Sequence, residues 1–394
     1  MNDVSKLIKR ARKDYEAGNR RGAKNKYEQA LALAPRHLDA NYLLGTLLAE
    51  SGESELAEAY LKTALAIKPD SGFVLMNLGS LCRLSGRYQQ ALEYYQRAAS
   101  LLHNEPTILL NLGTLENKLG DYAAAHIHLA RYLITRPDHT DARLNLADAL
   151  RNLGRLDDAA GEYRQIIAQI GSTPLLEYLH SSCTGATPPN APQSYVRSLF
   201  DSYAKTFDRH LMEGLECQIP HALSSAVLEC APDQRFPRAV DLGCGTGLTG
   251  ALLRNRCDWM AGVDLSPKMI ELARAKNIYD VLEIADVCAW TDAQQEKFDL
   301  VVAGDVAIYL GDLTPLFAAL SRTLSSDGLF AMSAEDADAD YVLRPSGRYA
   351  HNRGWVEREA AAHGLTVARL APTALRKESG RWIDGYVAVL RRGG

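Results

Sequence analysis

The chain has 394 residues, a hydrophobic share of 47%, a charged share of 23% and a formal net charge of −4, which suits two or three soluble domains with their own cores. That charge argues against nucleic-acid binding by the whole molecule, and no apolar run approaches the roughly 18–20 residues of a membrane span. The N-terminus lacks an uncharged apolar core of the secretory type, so a cytoplasmic location without a membrane partner is expected. Cys82, Cys183, Cys217, Cys230, Cys244, Cys257 and Cys288 are scattered without C-x-x-C spacing, a reduced pattern with no structural metal. The first 26 residues carry nine Lys/Arg against three acids, and Lys6, Lys9, Arg10 and Lys13 would share one helical face. Such a face is either simply solvated or a contact for an anionic partner.

Glycine then recurs at 18, 52, 86, 120 and 154, always 34 residues apart. Ala23, Ala57, Ala91, Ala125 and Ala159 repeat at the same period. So do the small residues Ala11, Gly45, Gly79, Gly113 and Ala147, and the bulky Tyr27, Leu61, Tyr95, Leu129 and Tyr163. Pro35, Pro69 and Pro137 close three of the repeats. The pattern resembles the tetratricopeptide repeat, a helix–turn–helix unit that cannot bury its apolar face alone and therefore stacks. Residues 1–173 are thus predicted to form an all-α solenoid of five repeats. Asn77, Asn111 and Asn145 lie one position before the small residue of repeats three to five. In tetratricopeptide proteins that position faces the concave side, where a ladder of amides could bind an extended peptide; it could equally be a consensus surface.

After Gly171 the period stops, and the Pro/Ser/Thr-rich TGATPPNAPQS (184–194) reads as part of a linker over 174–198. LFDSYAKTFDRHLMEGLECQIPHALSSAVLEC reads as two helices with a break at Pro220. Short apolar runs at 239–242, 259–265, 280–286, 299–305 and 328–335 alternate with amphipathic ones at 247–255, 267–276 and 312–324, the signature of a parallel sheet covered on both faces. A helix over 353–363 and strands over 365–371 and 384–391 follow, the last two joined by a turn too short for anything but antiparallel pairing. Ligands in such sheets bind beyond the strand ends where strand order reverses.

DLGCGTGLTG (241–250) fits two loops. From Gly245 it reads G-x-G-x-x-G, the dinucleotide loop of a dehydrogenase; from Asp241 it reads D-x-G-x-G-x-G, the S-adenosylmethionine loop of class I methyltransferases. The second reading places Asp241 at the strand rim, where it could orient the loop and attract the cofactor's ammonium, directly or through water. In the first reading it would be an unpaired carboxylate inside a strand, which is costly. Gly243, Gly245 and Gly247 allow the backbone to turn and approach the cofactor, and Gly250 then serves helix packing. Asp264 closes the next strand, where a carboxylate accepts ribose hydroxyls, and Asp286 closes the third, where an acid can accept from the adenine amino group. Together Asp241, Asp264 and Asp286 favour S-adenosyl-L-methionine over NAD.

The tail of the sheet agrees, and residues 199–394 resemble the bacterial group of methyltransferases that carry tetratricopeptide repeats. The resembling segments are LFDSYAKTFDRHL (199–211), VDLGCGTGLTG (240–250), GVDLSPKMIELARAK (262–276), SGRYAHN (346–352) and LRKESGRWIDGYVAVLRR (375–392). The resemblance implies a Rossmann-like class I methyltransferase domain over 199–394 with N-terminal lid helices. It further implies S-adenosyl-L-methionine as cofactor, S-adenosyl-L-homocysteine as product, and Tyr203, Phe207 and His210 on the lid, where a packing stripe is the alternative. Cys244, Leu265 and Val287 neighbour the loop glycines and the two carboxylates and are assigned to the same cofactor site, Cys244 as filler rather than nucleophile. Trp290 could wall the adenine pocket. Asn352 stands where relatives often have serine, which questions the substrate but not the cofactor.

Methyl transfer from a sulfonium is an in-line displacement that requires alignment and water exclusion, and a base only if the acceptor must lose a proton. Asp305, at the end of the fourth strand, could take that proton or cap a helix. Tyr309 follows it, and His351 in the 336–355 insertion is a base or a helix-entry residue. The reading favoured by the sequence is a methyltransferase whose repeats recruit a peptide or protein acceptor. The alternatives are a small-molecule enzyme with repeats for oligomerisation or docking, and a scaffold with a vestigial methyltransferase domain.

Overall fold

The computed structural model describes residues 2–103, 105–378 and 380–393. The chain divides into two units, Met1–Gly171 and Ser172–Gly394.

The first unit is five helical pairs: α1 (Asn2–Glu16) with α2 (Arg20–Leu33), α3 (Leu38–Glu50) with α4 (Ser54–Ile67), α5 (Gly72–Leu84) with α6 (Tyr88–Leu101), α7 (Pro106–Leu119) with α8 (Tyr122–Thr135), and α9 (Thr140–Asn152) with α10 (Leu156–Ile170). The period-34 glycines end each first helix in the left-handed region, with φ between +74° and +83° at Gly18, Gly52, Gly86, Gly120 and Gly154, which any other residue adopts only under strain. The second glycine series works by close approach instead. A Cβ at Gly45, Gly79 or Gly113 would lie 2.8, 2.6 or 2.5 Å from the side chain of Leu61, Tyr95 or Leu129, the bulky residue of the same repeat. Those bulky residues are fully buried.

The second unit begins earlier than the composition suggests. Residues 174–198, expected as a linker, form α11 (Pro174–Thr184), a covering loop and the start of α12 (Gln193–Tyr203). Leu176, Leu179 and Cys183 recur at helical spacing and are buried. The Tyr178 hydroxyl donates to the Gly347 carbonyl at 2.9 Å, and the Tyr349 hydroxyl donates to the Pro188 carbonyl at 2.8 Å. Proline there marks a strap over the unit rather than a free tether.

The chain then runs through short turns, a 3₁₀ turn at 204–206, α13 (Phe207–Arg209) and a π turn at 210–214, before α14 (Ile219–Cys230). Pro220 sits in the first turn of α14, where its missing N–H is harmless, so the helix break falls before it. The α/β core follows as β1 (Phe236–Leu242), α15 (Leu248–Leu253), β2 (Cys257–Asp264), α16 (Pro267–Ala275), β3 (Val281–Ile284), α17 (Val287–Ala293), β4 (Phe298–Ala303), α18 (Thr314–Thr323), β5 (Leu324–Asp336), the short β6 (Tyr341–Leu343) and β7 (Tyr349–His351), α19 (Arg353–Ala362), β8 (Leu365–Glu378) and β9 (Arg381–Arg392).

Strand order is β3-β2-β1-β4-β5-β7-β6, with β9 antiparallel to both β5 and β8. Alternate side chains of each strand serve opposite faces. Val240, Leu242, Val301 and Ala303 pack with Phe317, Leu320 and Trp355 on one face. Ala239, Leu300 and Val302 pack with Ile219, Leu223 and Leu253 on the other. The order reverses between β1 and β4, so the loop after β1 opens at the switch point. The terminal strands run longer than their apolar cores, because their polar ends pair with each other across residues 374–384. Among the described residues no helix is long and apolar enough to cross a membrane.

Replacing Gly79 by valine should force Tyr95 out of its packed position and cost about 1–3 kcal/mol. Denaturant unfolding of the full chain, followed by helical circular dichroism, would show it as an earlier solenoid transition.

Candidate functional site: a lidded cavity at the sheet switch point

The loop after β1 carries three left-handed glycines, Gly243 (φ +66°), Gly245 (φ +54°) and Gly247 (φ +93°). Two buried carboxylates hold it from behind. Asp264, at the end of β2, accepts from the Gly245 N–H at 2.9 Å and the Ser266 N–H at 2.8 Å. Burial raises its carboxyl, and those N–H groups pull it down. Asp241 behaves differently from the rim residue expected of it. It lies in strand register opposite Gly262 and Val302 and is buried, outside the cavity wall. Strand alternation turns its side chain to the α14 face, where the Tyr279 hydroxyl donates to it at 2.7 Å and the Gly250 N–H donates as well. Asp241 is tolerated inside a strand because it is paired with the Tyr279 hydroxyl and the Gly250 N–H. Gly250 is required by the same bond, since a Cβ there would meet the Tyr279 hydroxyl at 2.3 Å.

A cavity of about 360 Å³ opens over this loop. Of the residues singled out from the sequence, Tyr203, Phe207, His210, Gly243, Cys244, Gly245, Asp264, Leu265, Asp286, Val287, Asp305 and Tyr309 line it. Asp286 caps α17 by accepting the Ala289 N–H at 2.9 Å with one carboxylate oxygen. Burial raises the Cys244 thiol well above its ordinary value, which suits filler and not a nucleophile. Gly247 bounds the loop without lining the cavity; a Cβ on it would meet Ile278 at 3.0 Å and Tyr279 at 3.1 Å. Trp290 is core, packed on Phe298 at 5.8 Å, and is not a wall of the cavity.

The broken helix of 199–214 forms the roof. Phe207 stands 3.7 Å from where a Cβ on Gly245 would project, so a side chain at 245 would intrude between loop and lid. Phe200 meets Phe207 at 6.0 Å and Tyr309 at 5.5 Å, and Tyr203 stacks on His210 at 5.8 Å. Two polar latches tie the roof down: Asp208 accepts from Thr246 and from Lys276 (2.7 Å), and Asp201 accepts from the Ser266 hydroxyl at 2.6 Å. Neither latch has a sequence signature, because both partners of each pair lie more than 35 residues apart.

The remaining wall holds an ionic cluster. Arg376, buried on β8, donates to Asp305 at 3.1 Å, to Glu378 at 2.7 Å and to Glu335. Arg348 donates to Glu378 and to the Tyr309 hydroxyl, and Arg344 donates to Glu335 at 2.8 Å. Asp305 itself has φ +60°, with its N–H donated to the Ser333 hydroxyl at 2.9 Å. Such a conformation persists only where neighbours over-determine it. Arg348 had been visible only as a neighbour of His351, and Arg376 only as one letter of a resembling run.

His351 is a correction. It is fully buried outside the cavity, donating Nε2–H to the Gly311 carbonyl at 3.0 Å and stacking on Trp355 at 5.9 Å. Burial lowers it to about 4, so it is neutral at physiological pH. Asn352 caps α19 by accepting the Trp355 N–H at 3.1 Å, a task serine also performs, and its amide additionally donates to the Ala337 carbonyl at 3.0 Å.

In the repeat unit Asn77, Asn111 and Asn145 sit half-buried in the same register of α5, α7 and α9. The Asn77 amide already donates to the Thr46 hydroxyl at 2.8 Å, and that of Asn145 to the Asp141 carbonyl at 2.7 Å.

Asp241 carries a pH signature. Burial pushes its carboxyl from 3.8 up to about 7. The folded state therefore holds a proton that the unfolded chain gives up, and this stabilising contribution is lost as pH rises from about 4 to about 7. Urea midpoints should fall across that window, and Asp241→Asn should flatten the profile.

Comparison with known proteins agrees with this geometry. A methyltransferase domain model matches residues 240–332, and tetratricopeptide repeat models match 8–72, 70–133 and 110–173. A trans-aconitate 2-methyltransferase of Methylobacterium radiotolerans is 31% identical over 148 residues, 37% of this chain and 52% of its own length. A malonyl-[acyl-carrier protein] O-methyltransferase of Acetivibrio thermocellus is 33% identical over 98 residues, 24% of this chain and 34% of its own. A solved S-adenosylmethionine-dependent methyltransferase from Clostridium acetobutylicum is 19% identical with a TM-score of 0.39, covering 50% of this chain and 100% of that one. The chain spans about half the length, or less, of these two curated relatives. The chain thus joins segments that match tetratricopeptide repeat models to a Rossmann-like α/β domain that matches a methyltransferase domain model.

Proposed function

We propose that the protein transfers a methyl group from S-adenosylmethionine to a small acceptor inside the lidded cavity, while its repeats dock a peptide or protein partner. The observation that carries this reading is one cavity wall running from the glycine loop, Asp264 and Asp286 to Asp305, Tyr309 and Arg348, roofed by Phe200 and Phe207. Asp264, with its inner contacts fixed by backbone N–H groups, is suited to hold ribose hydroxyls, and Asp286 to accept from the adenine amino group. The left-handed glycines let the backbone approach the cofactor without an intervening side chain. When bound, the cofactor supplies an electrophilic methyl group on a sulfonium. The chain's own work is to align the acceptor and to exclude water beneath the lid.

Enclosure favours a small acceptor, and so does the likeness to an enzyme named for trans-aconitate. The alternative, a peptide or protein acceptor laid along Asn77, Asn111 and Asn145, draws support from their shared register. It is weakened by the amide donors of Asn77 and Asn145 being already committed within the solenoid.

Calorimetry with S-adenosylhomocysteine tests the cofactor site. Wild-type protein should bind, and Asp264→Ala should weaken binding by about tenfold or more. Absence of binding, or an unchanged affinity in the variant, would refute the assignment; binding of NAD instead would point to dehydrogenase chemistry.

A further inference from the structure

We propose that the acceptor is a carboxylate with an apolar body, received by the Arg348 guanidinium beside the Tyr309 hydroxyl. This rests on the methyl-transfer reading and specifies its substrate class. Three features of the cavity converge on it.

The first is the inventory of groups that could take a proton. Asp305 is engaged by the Arg376 guanidinium at 3.1 Å. The Tyr309 hydroxyl accepts from Arg348, and burial raises it to about 12; burial likewise raises the Cys217 thiol to about 11. His351 lies outside the cavity, whereas His210 lines it from the lid, exposed to solvent and stacked on Tyr203. Asp264 and Asp286 belong to the cofactor end. Asp305 and Tyr309 are already paired, so a neutral alcohol or a protonated amine would depend on the lid imidazole of His210 to lose its proton, whereas an acceptor that is already ionised needs no base.

The second is the donor. Arg376 is saturated by Asp305, Glu335 and Glu378 and serves as a positioning residue. Arg348 lines the cavity with its side chain about one quarter exposed (26%), and among the described residues its ion-pair partner is Glu378. A guanidinium carries five N–H donors in a planar fork that matches a carboxylate. The third is the rest of the wall: Phe200, Leu211, Ile219, Val306 and Leu310 are apolar and would cover a hydrocarbon or aromatic body.

The chemistry balances without a proton. A carboxylate oxygen attacks the methyl carbon, a C–O bond forms as the S–CH₃ bond breaks, and the bonding pair leaves on sulfur. An anion and a sulfonium cation become a neutral methyl ester and a neutral thioether.

The test uses the full-length protein saturated with S-adenosylhomocysteine and three probes that differ only in their head group: 4-phenylbutyrate, 4-phenylbutan-1-ol and 4-phenylbutylamine. Calorimetry should show the carboxylate bound about tenfold or more tightly than either analogue. Arg348→Gln should erase that preference and Arg348→Lys should keep part of it, both with wild-type affinity for S-adenosylhomocysteine, which certifies that the fold is intact. Failure of the carboxylate to bind, equal or tighter binding of the alcohol or amine, or an undiminished preference in Arg348→Gln would each overturn the proposal. Loss of S-adenosylhomocysteine binding by the wild-type chain would instead overturn the methyl-transfer reading.

Discussion

The cavity edge of the α/β unit depends on a carboxylate that lies outside the cavity wall. Asp241 sits inside the central strand and is buried on the side away from the cavity, bound by the Tyr279 hydroxyl and the Gly250 N–H. A lone charge there would be prohibitive, so strand, loop and α15 are locked to whatever satisfies it. The glycine at 250 and the tyrosine at 279 follow from that single requirement. Asp264 completes the arrangement from β2, so the loop is gripped from two strands while its cavity face stays open.

A second buried charge organises the opposite wall. Arg376 arrives on the antiparallel strand that distinguishes this sheet from a purely parallel one, and it gathers carboxylates from the end of β4, from β5 and from its own strand. Removing one member of such a network strands the others without partners, so the wall is cooperative. Asp305 is thereby held in a left-handed conformation and tied into the wall.

Periodic and local signals made much of the fold legible. The 34-residue glycine series announced the solenoid because each member meets the same turn, and alternating apolar runs announced the sheet. Gly243, Gly245, Asp264 and Asp286 were legible because strand ends and loop spacing are local properties. Pairings across distance were not. Nothing around Arg376 reveals that it meets Glu335 and Asp305, and nothing in LFDSYAKTFDRHL tells which carboxylate reaches Thr246. His351 and residues 174–198 misled for one reason: polarity and proline in a sequence suggest exposure, whereas tertiary packing decided for a buried imidazole and a strap.

The roof of the cavity is fastened by ions rather than by apolar anchoring alone. Lys276 and Asp208 meet at 2.7 Å with about a third to two fifths of each side chain open to solvent (33% and 43%). Attraction between such groups weakens as dissolved ions crowd around them. The roof spans 3₁₀, α and π turns instead of one continuous helix, so lifting it disrupts only a few short-range bonds. Dissolved ions therefore weaken one of the two polar fastenings that hold the roof over the cavity.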